Sequence, residues 1–344
     1  MLSDPGLLEK MDQAWQTALA RYYAPRTSLF YATPPAEVPT AAQYARGEPN
    51  IHAGGTGGED CAMFGGMLLA AMCDRYEVTG DSRAGEDARR VFDGLRLLAT
   101  VHGEPGFIAR GVCVEDGRSV YPGSSRVQFT NVVYGLWRYH RSPLSDAGER
   151  SEIAAILAAV ANKMTREVTF ENGYSFRFLG GVPDNRRVSR MRNVWVHEAA
   201  RLPMFYAAAW DLGRDEEHAR YYREYLPLAL HHSLDFATTE ESDLRRGVPP
   251  YSISQMQASL ELLLAVEPEP ALAAALRQAL RQVAERVETC PVYDLTNRNP
   301  RERAEVITGQ LMSPATPLSE RQQSHLREAI WQLQPEKDAA GLYM

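Results

Sequence analysis

The sequence predicts an all-α protein built from antiparallel helical hairpins arranged in two layers. Three observations predict it. Apolar residues recur at helical spacing in segment after segment, amphipathic segments alternate with segments that are apolar on nearly every side, and no strand-rich region competes. A helix with one apolar stripe belongs on a surface, whereas a helix apolar all round belongs inside. The alternation therefore separates an outer layer from an inner one.

In chain order, residues 7–22 form an amphipathic helix, followed by a long connection over 24–57 rich in glycine, proline and aromatics. The first inner helix is expected over 60–73, CAMFGGMLLAAMC with its preceding acid. Its outer partner, 83–99, places Ala88, Val91, Phe92, Leu95 and Leu98 on one face. A second long connection, 103–125, contains FIARGVCVEDGRSVY, which reads as a short β-hairpin. Inner 127–139 and outer 147–166 come next, then a third long connection over 170–193. Inner 194–212, outer 215–234, inner 253–266 and outer 269–289 continue the alternation. A helix at 318–333 and a weaker one at 302–311 complete it. The whole of 1–344 is expected to be a single domain, and long loops in such a scaffold commonly carry function.

Composition excludes several classes. With 344 residues and 44% hydrophobic content the chain can bury a large core, so disorder is not expected. A net charge of −7 argues against a general binder of nucleic acid or anionic membranes. MLSDPGLLEKMDQAW lacks the pattern of a secretory leader, and no apolar run approaches the length that spans a bilayer. Cys61, Cys73, Cys113 and Cys290 are scattered, without C-x-x-C spacing. A reduced, cytoplasmic protein is the expectation. HEAAR at 197–201 begins like a zinc-binding H-E-x-x-H, but Arg201 stands where the second histidine is needed. GGTGG lacks the lysine and serine or threonine of a phosphate-binding loop, and no G-x-S-x-G occurs. No metal and no cofactor is expected.

The unusual polar residues gather where the inner helices begin. Glu59 and Asp60 open the first; Tyr121, Ser125, Arg126 and Gln128 surround the start of the second. Arg192, Trp195, His197 and Glu198 occupy the third, and Tyr251 and Gln255 the fourth. Singly, each has a structural explanation: acids complement a helix dipole, serines cap, Arg126 can pair with Glu59 or Asp60, and an interior histidine is usually just satisfied. Repetition at corresponding ends of four helices points to one shared site. If the inner helices run in one direction, all four starts meet at one end of the molecule.

TGGEDCAMFGG at 56–66, RYEVTGD at 75–81, GFIARGV at 106–112 and YPGSSRVQFTNVVYGLWRYHRSPL at 121–144 carry a resemblance. Together they resemble the six-hairpin (α/α) toroid glycosidases and their relatives, including the unsaturated glucuronyl hydrolases and uncharacterised bacterial proteins. In helix order the resemblance covers residues 25–265, although its sharp motifs fill only these short stretches. It implies an (α/α)6-type toroid, complete or incomplete, with inner and outer helix rings and a carbohydrate site where the inner helices begin. It also implies acidic residues doing proton chemistry and aromatics stacking on sugars. Asp60 matches the acid of G-x-E-D and Arg126 the arginine of S-S-R. An acid follows that arginine in S-S-R-D-Q relatives, whereas this chain has Val127.

The expected activity is hydrolysis of short oligosaccharides containing uronic acid. Such chemistry commonly uses two carboxylates, one giving a proton to the leaving oxygen and one acting on the opposite face. Asp60 is the first candidate, better suited to base than to acid at a helix N-terminus. Glu198, Glu59 and Asp116 compete for the second role, with His197 as a further proton carrier. Arg110, Arg126 and Arg192 suit an anionic sugar, and Trp195, Tyr121 and Tyr251 offer faces for pyranose rings. Two alternatives stand beside it: a polysaccharide lyase using Tyr121 or His197 with an arginine, and a non-catalytic sugar-binding protein. The substrate is expected to be an anionic oligosaccharide, with no nucleic-acid or membrane partner; the sequence leaves the oligomeric state open.

Overall fold

Short connections decide the topology. In the computed structural model, which describes residues 5–184, 186–236 and 250–289, helix α1 (Pro5–Arg21) leads into a two-stranded hairpin. Its strands, β1 (Tyr23–Ala24) and β2 (Leu29–Phe30), pair antiparallel. The next connection holds a short helix, α2 (Ala41–Arg46). Four helical hairpins follow: α3 (Cys61–Thr79) with α4 (Arg83–Thr100), and α5 (Arg126–Arg141) with α6 (Ala147–Glu167). Then come α7 (Arg201–Gly213) with α8 (Glu216–Asp235), and α9 (Pro250–Val266) with α10 (Pro270–Thr289). Links of two to five residues leave the second helix of each pair no course except back along the first.

The fold class is all-α, as expected. Helices α3, α5, α7 and α9 form the inner layer, with α3 against α5, and α9 against both α5 and α7. One continuous apolar cluster runs from Trp15 to Val283. Ring closure stays an expectation, and the expected helices at 302–311 and 318–333 lie outside the described residues.

Glycine sets the distance between the first two inner helices. A Cβ on Gly66 would lie 2.1 Å from the Asn131 carbonyl oxygen, and one on Gly135 would lie 2.4 Å from that of Gly66. The two backbones therefore touch, which is what GGMLL in the first inner helix provides. Close contact here brings the starts of α3 and α5 into hydrogen-bonding range.

Two expectations need correction. The third inner helix begins at Arg201 rather than 194, and Val196–Glu198 form a separate 3-10 turn. Pro203 explains this. In a helix begun at 194 it would lie in the interior, lacking its N–H and clashing with the preceding turn; in one begun at 201 it falls in the first turn, where no N–H is needed. The second correction concerns FIARGVCVEDGRSVY, which contains no paired strands. Asp116 builds a side-chain turn instead, its Oδ1 accepting from the backbone N–H of Arg118 (2.9 Å) and Ser119 (3.0 Å), its Oδ2 from the Ser119 hydroxyl (2.6 Å). Asp116 is thereby committed to the loop.

Candidate functional site

Side chains at the starts of the inner helices contact one another in pairs. Asp60 is the residue before α3, and its Oδ1 accepts a hydrogen bond from Gln128 Nε2 on α5 at 2.9 Å. Gln128 also accepts from the Met63 backbone N–H at 2.9 Å, satisfying one of the donors that a helix start leaves open. Arg110, from the loop between α4 and α5, donates from Nε to the Glu59 carbonyl (2.8 Å) and lies 3.4 Å from Asp60 Oδ1. Gly111 lets this loop approach, since a Cβ there would lie 2.1 Å from the Gly58 carbonyl oxygen. Glu59 turns back along its own chain and accepts from the Thr56 N–H at 3.1 Å and the Thr56 hydroxyl at 3.3 Å.

A second cluster lies two residues earlier on α5. Arg126 donates from Nε to Glu198 Oε1 at 2.6 Å, and from Nη1 to the carbonyls of Arg187 (2.8 Å) and Val188 (3.2 Å). The same Glu198 oxygen accepts from Arg201 Nη1 at 3.2 Å. Glu198 thus holds two guanidiniums, and Arg126 pairs with it rather than with Glu59 or Asp60. On α9, Gln255 donates to the Val127 carbonyl at 3.4 Å, tying the fourth inner helix to the second. Tyr251, one turn earlier, is half-buried on the side of Arg201, whose charge it feels.

Burial governs the charge states. Desolvation pushes the His197 imidazole down to about 4, opposed by Glu198 and reinforced by Arg201 and Arg126, so it is neutral at neutral pH. Desolvation likewise lowers the Arg201 guanidinium to about 10, although Glu198 supports its charge. Burial raises the Glu198 carboxyl, but Arg201 and Arg126 outweigh it and hold the group below the usual carboxylate range. Glu198 is an anion here, held as one by two cations.

Of the residues expected at the site, Asp60, Glu59, Arg110, Gln128, Arg126, Glu198, His197, Gln255 and Tyr251 belong to these linked clusters. Ser125 stands at the N-cap of α5 in extended conformation without a side-chain cap bond. Tyr121 is elsewhere: it stacks on Tyr44 with ring centroids 4.0 Å apart, donates to the Glu48 carbonyl, and burial pushes its hydroxyl up to about 12. Arg192 lies over the rings of Tyr174 (4.7 Å) and Tyr225 (5.2 Å), against an outer helix. Trp195 is 71% exposed. Val127 packs against the apolar core.

Sequence reasoning missed Arg201 as a member of this cluster, reading it only as a failed zinc ligand. Its position three residues after Glu198 was the available signal, since helical spacing brings such a pair together. Among the described residues, no three or more His, Cys, Asp and Glu gather as a metal would need, and no helix is long and apolar enough to cross a membrane.

No family model and no curated protein matches the chain. Among solved structures it is similar to the crystal structure of a sugar epimerase from a ruminal bacterium, over 79% of this chain and 75% of that one, with 12% identity and a TM-score of 0.45.

Proposed function

We propose that this chain is a carbohydrate-processing enzyme whose reaction is hydrolysis of oligosaccharides containing uronic acid. One observation carries the reading: polar side chains from the starts of four inner helices, which bury nearly everything else, are linked through Asp60–Gln128, Arg126–Glu198 and Gln255–Val127. Buried polar groups cost stability unless they are paired, and so many at one end of an otherwise apolar layer suit a polar, multiply hydroxylated ligand.

Asp60 is the proton-transfer group in this proposal. Gln128 and Arg110 fix the orientation of its carboxylate, as a general acid or base requires. Glu198, kept anionic, faces positive charge developing at the anomeric carbon. A lyase reading finds less support, because the Tyr121 hydroxyl is tied to a backbone carbonyl and raised in pKa, and His197 is a weak base.

The test is incubation with a panel of uronate-containing and neutral oligosaccharides, following new reducing ends and ultraviolet absorbance together. Hydrolysis releases reducing ends without creating an absorbing double bond. Absorbance rising with cleavage would establish a lyase, and ligand-induced thermal stabilisation without turnover would establish a binding protein.

A further inference from the structure

The guanidinium of Arg201 is 1% exposed, and only one of its edges is used. Nη1 donates to Glu198, whereas Nε and Nη2, which form the parallel two-donor edge, meet no acceptor among the described residues. Two acceptors on the elements packed around it are in the same condition. Glu198 Oε2 and Gln255 Oε1 are buried without a donor, although their partner atoms are engaged: Glu198 Oε1 by the two arginines, Gln255 Nε2 by the Val127 carbonyl. Helix α9, which carries Gln255, packs against both the Val196–Glu198 turn and α7, the two elements that carry Glu198 and Arg201.

Buried donors and acceptors are nearly always paired in folded proteins, so a group of them left open on adjoining helices describes the complement of what it receives. Here the complement has a planar pair of acceptors for the Arg201 edge and hydroxyl donors for Glu198 Oε2 and Gln255 Oε1. A carboxylate matches a guanidinium edge with two parallel bonds. A phosphate dianion fits less well, because the Glu198 carboxylate adjoins the same guanidinium and repels a second full charge.

We infer that Arg201 is a carboxylate-binding residue, its Nε–Nη2 edge receiving the carboxylate of a sugar acid whose hydroxyls are held by Glu198 and Gln255. This rests on the proposed carbohydrate reading and deepens it. Arg126, already committed to Glu198 and two carbonyls, becomes the support that orients Glu198 rather than the clamp itself.

The experiment measures binding of glucuronate, glucose and inorganic phosphate to the full-length protein and to Arg201→Lys. Lysine keeps the charge but removes the two-donor edge. Glucuronate is expected to bind the unaltered protein at least tenfold more tightly than glucose or phosphate, and Arg201→Lys to lose that preference while still binding glucose. Equal binding of glucuronate and glucose, preference for phosphate, or a preference that survives the substitution would overturn the inference. Binding of neutral sugar without carboxylate preference defeats the inference alone, whereas failure of every sugar to bind defeats the carbohydrate reading with it. Should Arg201→Lys fail to fold, the Nε–H resonance of Arg201 in the unaltered protein decides: glucuronate is expected to shift it, and a resonance unmoved at saturation would show that the edge is filled by internal water.

Discussion

The two ends of the inner layer solve the same electrostatic problem differently. At the end where these helices finish, Arg138 of α5 pairs with Asp74 and Glu77 of α3 and with Glu261 of α9, and those three acids are 45–60% exposed. Asp211 of α7, its side chain 8% exposed, is met there by Trp137 Nε1 (2.9 Å), Arg141 (2.6 Å) and Arg214 (3.4 Å). Arginines at helix C-termini complement the dipole, and water screens much of what remains. At the end where the helices start, Glu198, Arg201, His197 and Gln255 are all at most 6% exposed, and several of their polar atoms stay open. Among the groups just named, the first end leaves one buried polar atom open, Arg138 Nε, and the second leaves four: Arg201 Nε and Nη2, Glu198 Oε2 and Gln255 Oε1. The difference is one of degree, and unpaired buried polarity of the second kind costs stability wherever it is kept.

The largest effect expected from this contrast follows Glu198→Gln. It leaves two cations facing each other in a dry environment and is expected to cost about 3–5 kcal/mol, measured by chemical denaturation. A loss below about 1 kcal/mol would mean that water already solvates the cluster. Asp60→Asn comes next: turnover on a cleaved uronide should fall at least about a hundredfold. Its melting should change only by what a lost helix-end acid costs, about 0.5–2 kcal/mol. Near-full activity in the folded variant would return Asp60 to a structural role.

The pH dependence is smaller and has a definite direction. His197 titrates near 4 in the folded chain and near 6.5 when unfolded, so the unfolded state takes up the proton first as pH falls. Its contribution to stability is fully present above about pH 6.5 and is lost progressively towards pH 4, by about 1–3 kcal/mol. Glu198, also lowered, gives up its own contribution as pH falls from the ordinary carboxylate pKa through its lower folded value. Denaturation of His197→Leu across this window should show a flatter stability curve; an unchanged slope would assign the titration to another group. Smallest of all, Arg138→Gln at the opposite end should cost about 1 kcal/mol or less and leave turnover unaltered, its acids being half in water.

The helix order was legible in the sequence because burial imposes periodicity. Expected helices at 83–99, 147–166 and 215–234 match Arg83–Thr100, Ala147–Glu167 and Glu216–Asp235 closely. Where the expectation failed, a local signal had been passed over: Pro203 for the start of α7, and the Asp116 turn in place of a hairpin. The T-x-x-Q of Thr40 and Gln43, a capping box, likewise announced α2 inside a segment expected to be loop. The candidate cluster was legible in outline, since helix starts can be located from pattern. Its pairings were not. Whether Arg126 meets Asp60 or Glu198 depends on how far the 170–193 connection reaches over α5, and the Val188 carbonyl that receives the Arg126 backbone N–H fixes this only in three dimensions.

The most direct measurement is a crystal structure of the protein with a disaccharide bearing a uronate. The account predicts the sugar at the starts of α3, α5, α7 and α9, hydrogen-bonded to Asp60, with its carboxylate on the Nε–Nη2 edge of Arg201. A sugar bound among the ion pairs around Arg138, or on the outer helices away from Asp60 and Glu198, would contradict it.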